Sequence, residues 1–244
     1  DAARKLRSAA RQTMSSAQRL YENGFITYMR TDSTHLSDEA IEGARKIIHN
    51  NFGPEYLPDS PKQYKSKVKN IQEAHEAIRP AHKNFISIKK VEQSLGEESS
   101  KLYELIWKRT IASQMKSAKL KQTSIIINVK NAEFKATGQV ILFPGYMKAY
   151  VEGNDNPNKD LANKEKILPV LEKKDTLTCL SLEAVSHNTK PPARYTEASL
   201  VKALEENGIG RPSTFASILA TIVKREYVNR KSGKLYPTFL GLAV

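Results

Sequence analysis

The hydrophobic period of this chain changes twice, and each change marks a boundary between kinds of structure. In the first part apolar residues recur at helical spacing: Leu6, Ala9, Ala10, Met14, Ala17, Leu20 and Tyr21 fall on one i, i+3, i+4 stripe, which Gly24 can end at its C′ position. Ser37 is placed to cap a second helix, whose Ile41, Ala44, Ile47 and Ile48 form an apolar face closed by Gly53. A third helix is expected from about position 97 to 115, with Leu102, Leu105, Ile106 and Met115 inward and Lys101, Lys108 and Arg109 outward. Between these helices, 25–29 reads as a short apolar strand and the Pro- and Lys-rich stretch 54–69 as loop. From Thr123 the pattern becomes β-rich, in pieces 125–129, 134–140 and 148–151 separated by Asn, Gly and Pro, so a small antiparallel sheet is expected. The polar stretch 152–166 reads as an exposed loop.

After Lys190-Pro191-Pro192 the helical period returns. Thr196 caps a helix with Leu200, Val201 and Leu204 on one face as far as Asn207-Gly208, and a second helix runs from near Ser213 through Ile218, Leu219 and Ile222 to Lys224. Residues 227–236 then give a hairpin signal about Ser232-Gly233. Helix, Gly-containing turn, helix and basic hairpin in that order suggest a winged helix-turn-helix, with a weaker echo in the first unit, where a helix runs into an aromatic strand at 21–29. The expected class is therefore α+β and multidomain: an α-rich, winged-helix-like unit over 1–113, a small antiparallel β arch over 114–184, and a helix-turn-helix region over 185–244 that is part of a larger domain.

Charge tests what such a chain would bind. There are 39 Lys and Arg against 26 Asp and Glu, a formal net charge of +13, which points to a polyanionic partner. The excess is not a tail: the three units hold 19 basic and 14 acidic, 11 and 8, and 9 and 4 residues. Positive charge spread over folded surface favours a nucleic-acid groove shared between units over a basic arm. The longest apolar runs, such as 125–127, fall far short of the roughly 20 residues that cross a bilayer, and residues 1–11 are charged where a signal peptide is greasy. A single cysteine, Cys179, permits no internal disulfide and fits a reducing cytoplasm, with a small buried apolar residue as its expected role.

The sharpest local chemistry lies in Phe25-Ile26-Thr27-Tyr28-Met29-Arg30-Thr31-Asp32-Ser33, where strand alternation would project Tyr28 and Arg30 from one face. A phenol is a poor nucleophile until phenolate is stabilised, and a neighbouring guanidinium can do that while gripping a phosphate bidentately. A half-buried tyrosine beside a solvated arginine is the ordinary alternative. His75 sits between Glu73 and Glu76, but no second histidine follows at i+4, so a helical zinc site is not indicated and a surface histidine is the plain reading. Gly208-Ile209-Gly210-Arg211-Pro212-Ser213-Thr214 would deliver Arg211 and two hydroxyls to a helix N-terminus, which suits phosphate, N-capping by Ser213 or Thr214, or both. Arg194, near Lys190 and the proline pair, is a further candidate for a backbone contact.

Several strings taken together resemble bacterial type IA DNA topoisomerases. They are Ala17-Gln18-Arg19-Leu20-Tyr21-Glu22, Ile26-Thr27-Tyr28-Met29-Arg30-Thr31-Asp32-Ser33-Thr34, Gln72-Glu73-Ala74-His75-Glu76-Ala77-Ile78-Arg79-Pro80, Pro191-Pro192-Ala193-Arg194-Tyr195-Thr196-Glu197-Ala198-Ser199-Leu200-Val201-Lys202 and Gly208-Ile209-Gly210-Arg211-Pro212-Ser213-Thr214. The resemblance implies that Tyr28 attacks the DNA backbone and that Arg30 contacts the scissile phosphate. It also implies that His75 and Arg79 lie near the DNA path and that Arg194, Arg211, Ser213 and Thr214 bind DNA. The implied reaction is single-strand cleavage through a 5′-phosphotyrosine link, strand passage and religation without ATP, relaxing negatively supercoiled DNA in the cytoplasm, at the nucleoid. Single-stranded DNA is the expected partner. The family's Mg²⁺ is held by an N-terminal toprim domain, and no Asp-x-Asp-x-Glu cluster occurs here, with Asp32, Asp38 and Glu39 too scattered to replace it, so this chain is expected to hold no metal of its own. The chain starts within a helical pattern and is read as a fragment lacking both toprim domain and C-terminal zinc ribbons, inactive alone. A winged-helix DNA-binding module without chemistry, preferring one duplex sequence, is the rival reading, and an RNA-directed relative is a third.

Overall fold

Helix formation at the N-terminal end is decided by how each helix stops. The computed structural model describes residues 1–64, 76–150 and 167–244. The expected first helix is two: α1 (Ala2–Lys5) and α2 (Ala10–Glu22), because Arg7 adopts a left-handed φ of 53° and turns the chain between them. At the far end Gly24, φ 72°, donates to the Tyr21 carbonyl at 2.9 Å while Phe25 N–H donates to that of Leu20 at 2.9 Å. This is a Schellman closure, and the accompanying apolar contact is met because Leu20 and Phe25 are buried in the same cluster.

Helix α3 (Asp38–Phe52) begins as its sequence suggests, with Ser37 Oγ accepting from Ala40 N–H, and ends at Gly53. Its inner face meets the chain at 83–85 very closely: a Cβ on Gly43 would stand 2.2 Å from the Lys83 carbonyl oxygen. Helix α4 (Ile88–Leu95), capped by Ser87, was not expected; Gly96, φ 82°, separates it from α5 (Glu97–Ser113). One core joins α2, α4 and α5 through Ala17, Leu20, Val91, Leu102 and Tyr103, with Phe25, Ile26 and Met29 contributed by the segment after α2. A second, built on Ala44, Ile48, Tyr56, Ile111 and Met115, ties α3 to the end of α5.

Strands β1 (Lys119–Val129) and β2 (Ala132–Phe143) form an antiparallel hairpin about Lys130-Asn131, with Val129 opposite Ala132 and Ile125 opposite Ala136. The expected third piece at 148–151 does not form in the described residues: Gly145–Lys148 is a 3-10 turn, and Val151 lies outside them. The turn brings Tyr150 back against the helical unit, where it is buried. Gly145 is needed there, since a Cβ would lie 2.6 Å from Lys116 and Ala118 backbone atoms. The expected loop at 152–166 lies outside the described residues. Residues 167–195 carry no regular strand and are almost wholly exposed, so the arch is represented by a two-stranded hairpin alone among the described residues. Cys179 is exposed, against the expectation of a buried residue, because no packed layer forms around that stretch.

Helix α6 (Glu197–Glu206) starts with a reciprocal capping box between Thr196 and Ser199, and α7 (Phe215–Lys224) follows the Gly208 and Gly210 turn. Strands β3 (Val228–Lys231) and β4 (Lys234–Pro237) make the second hairpin, followed by the short α8 (Phe239–Ala243). The C-terminal elements contact the first unit: α7 lies against α2, and Glu197 Oε2 accepts from Ala10 N–H at 2.8 Å. Among the described residues, no helix is long and apolar enough to cross a membrane.

Candidate active site

The loop bearing Tyr28 is shaped by a segment fifty residues downstream. Ile26 forms a single antiparallel bridge with Pro80, Thr27 N–H donates to the Arg79 carbonyl at 3.0 Å, and Ala81 N–H donates to that of Phe25 at 2.8 Å. This pairing takes the place of the strand expected at 25–29. Burial then alternates: Met29 and Thr31 are buried, whereas Tyr28 is half-buried and Arg30 exposed. Arg30 is thus turned to solvent, whereas Tyr28 stays partly exposed while packing against the edge of the cluster that holds Met29.

Among the described residues, Tyr21, Gln18 and Glu22 of α2 lie on this side of the loop. The Tyr28 ring meets that of Tyr21 edge-on, with centroids 5.3 Å apart, so α2 supports the phenol from its last turn. Arg30 Nη2 reaches Gln18 Oε1 at 3.5 Å, and Gln18 Nε2 donates to Glu22 Oε1 at 2.8 Å. Glu22 and Gln18 therefore share one helix face one turn apart, and their chain of contacts steers the guanidinium from below while leaving it open to solvent.

Arg79 is placed otherwise than a DNA contact requires. It is 6% exposed. Its Nε and Nη2 donate to the two Glu76 oxygens at 2.7 and 2.9 Å, Nη1 donates to the Pro80 carbonyl at 2.9 Å, and Nη2 also reaches Ser37 Oγ at 3.2 Å. Burial pushes the Glu76 carboxyl up, but hydrogen bonds from Arg79 and Ser37 outweigh it and hold the group below the ordinary carboxylate range. His75 lies outside the described residues.

The C-terminal candidates are separate from this loop in sequence and are displayed at the surface. Arg194 is exposed with its guanidinium over the Tyr236 ring, 4.6 Å from the centroid. Arg211, Ser213 and Thr214 are exposed at the start of α7. Capping there differs from the expectation: Thr214 Oγ1 accepts from Arg211 N–H at 2.9 Å and donates to the Arg211 carbonyl at 3.1 Å, and neither hydroxyl caps the helix. Thr214 thereby closes a turn that leaves Arg211 and Ser213 outward.

The sequence model of the family described as DNA topoisomerase matches residues 1–244. This chain belongs to the DNA topoisomerase family. It is 54% identical to DNA topoisomerase 1 of Synechocystis over 244 residues, covering all of this chain and 27% of that protein. It is 52% identical to DNA topoisomerase 1 of Streptomyces coelicolor over 249 residues, covering 100% of this chain and 26% of that protein. The solved full-length topoisomerase I of Thermotoga maritima superposes with a TM-score of 0.77 at 38% identity, over 98% of this chain and 39% of that one. The mixture of helices and small antiparallel sheets is accordingly a topoisomerase I arrangement, and the chain spans about a quarter of the curated relatives it matches.

Sequence reasoning missed Thr27, Ser37 as an arginine partner, Gln18 and Glu197. The Glu76-x-x-Arg79 spacing was a visible i, i+3 charge pair, but nothing local in the sequence announces that it packs beneath 27 and 37.

Proposed function

We propose that this chain is the nucleophile-bearing part of a type IA DNA topoisomerase. The supporting observation is a partly exposed phenol, Tyr28, on a loop fastened at both ends and followed two residues on by an exposed guanidinium. Tyr28 Oη attacks a backbone phosphorus; a new O–P bond forms, the phenol proton passes to solvent, the bond to the 3′ oxygen breaks, and that oxygen takes up a proton and leaves as a hydroxyl. Arg30 neutralises the phosphate charge that builds up during the exchange. One phosphodiester is traded for another of similar energy, so the 3′ hydroxyl can reverse the step and reseal the strand without ATP.

Residues 1–113 serve as the movable gate, 114–184 as its hinge, and 185–244 as a winged helix-turn-helix that holds single-stranded DNA by its phosphates. The order of α6, glycine turn, α7 and hairpin β3–β4 supports that last assignment. Arg194, Arg211, Ser213 and Thr214 provide backbone contacts, so affinity falls with salt; His75, outside the described residues, is assigned by resemblance either to DNA contact or to support of Tyr28. Among the described residues no three His, Cys, Asp or Glu side chains gather to hold a metal, and no step is assigned to one bound by them. The Mg²⁺ and the proton for the leaving oxygen belong to a toprim domain outside this sequence, and the whole enzyme relaxes negatively supercoiled DNA in the bacterial cytoplasm, at the nucleoid.

Mixed with a separately prepared toprim fragment, Mg²⁺ and an end-labelled single strand, the chain should acquire covalently bound label, and Tyr28→Phe should abolish it. Label retained by Tyr28→Phe refutes the assignment of the nucleophile. Tight, sequence-selective duplex binding with no adduct supports the non-catalytic reading.

A further inference from the structure

The stretch 76–81 fastens both ends of the Tyr28 loop, and its contacts converge on one buried arginine. At the entry to the loop, Thr27 Oγ1 accepts from Arg79 N–H at 2.9 Å and donates to the Ala77 carbonyl at 2.7 Å, beside the backbone bond from Thr27 N–H to the Arg79 carbonyl. At the exit, Ala77 N–H donates to the His35 carbonyl at 2.7 Å, and Ser37 N–H donates to Glu76 Oε1, also at 2.7 Å. The Arg79 guanidinium joins the two ends by its fork on Glu76 and its reach to Ser37 Oγ. Residues 28–36 therefore run between two anchors that this ion pair links, with Met29 and Leu36 also held in the apolar cores. Burying that pair carries a desolvation cost that a surface position would avoid. The Arg79 guanidinium is turned away from solvent, since the residue is 6% exposed and its nitrogens are engaged internally, while the Glu76 side chain is 21% exposed.

We propose that Arg79 and Glu76 are positioning residues for Tyr28, acting through Thr27 and Ser37; this rests on the reading of Tyr28 as nucleophile. Their effect falls on the approach of the phenol to phosphorus and not on DNA affinity. Small misplacement of a reacting group is enough to slow chemistry strongly, on the order of 100-fold for about 1 Å.

The test uses the full-length enzyme with saturating single-stranded DNA and Mg²⁺, followed through one turnover. Arg79→Lys keeps the charge but cannot reproduce the fork. Adduct formation should slow about 10- to 100-fold. DNA dissociation constants, measured with Tyr28→Phe added to prevent cleavage, should stay within about twofold of the parent. Glu76→Gln retains one acceptor and should slow less; it decides the matter by the same two readouts if Arg79→Lys fails to fold. An unchanged cleavage rate overturns the proposal. So does DNA binding weakened by the same factor as cleavage, which would make Arg79 a phosphate contact, or a slowing that disappears on cooling well below the unfolding temperature. An adduct that survives Tyr28→Phe alone would instead refute the nucleophile assignment, so the two failures are told apart.

Discussion

Helix α2 carries no cap of its own, and the group that replaces one comes from the other end of the chain. Its N-cap residue is Ala9, and its first turn holds no acidic residue. Glu197 supplies the missing acceptor to Ala10 N–H, and its other oxygen pairs with Arg230 of β3. Glu197→Ala should therefore remove three contributions. Loss of a cap costs about 0.5–2 kcal/mol. The charge at the positive end of the helix dipole overlaps with this and adds about 0.3–1. The pair with Arg230 adds about 0.2–1, because Arg230 is 48% exposed although Glu197 is only 17% exposed. The expected total is about 1–3 kcal/mol. At about 2–4 °C per kcal/mol for a chain of this size, the unfolding temperature should fall by about 2–12 °C. Trp107, the single tryptophan, packs against both helical cores and reports their unfolding by fluorescence. Glu197→Gln retains an acceptor and should lose about half as much, with less dependence on salt. A Glu197→Ala chain within about 0.5 kcal/mol of the parent, with the same salt response, would refute the view that this carboxylate ties the two units together.

Gly43→Ala drives a methyl into the Lys83 carbonyl, a backbone atom that cannot swing aside, and should lower stability by about 1–3 kcal/mol in urea titrations. Glu226 closes α7 in a left-handed conformation, φ 59°, with Tyr227 N–H donating to the Ile222 carbonyl; Glu226→Gly should stabilise by about 1 kcal/mol in the same titration. Glu76 titrates below its ordinary value of 4.5 in the folded chain, so its contribution is present above that value and is lost as pH falls through the lower, folded one. Unfolding temperature followed from about pH 7 to about pH 3 should drop less steeply for Glu76→Gln than for the parent.

Local signals were readable in the sequence, and contacts between distant segments were not. Ser37, Gly24, Thr196 and the Ser232-Gly233 turn each act through neighbours within a few residues, so their roles follow from position. The break at Arg7 was hidden because the apolar stripe runs straight through it. Helix α4 escaped notice because Gly96 serves as the N-cap of α5 while ending α4. Chemistry and resemblance singled out Tyr28 and Arg30 on an expected strand; a single bridge between Ile26 and Pro80 stands in its place, with Tyr28 half-buried against the core and Arg30 exposed. Arg79 was expected near the DNA path from the resemblance alone. Only the partners Glu76, Pro80 and Ser37 reveal that its charge is spent inside.

The fastening of the Tyr28 loop also sets an order of events on the ribosome. The segment that shapes the loop is translated about fifty residues after it. At about 5–20 residues per second, the tyrosine emerges seconds before its surroundings can exist. A nascent chain therefore displays Tyr28 on an unfastened segment, and the loop takes its folded shape only once 76–81 has docked.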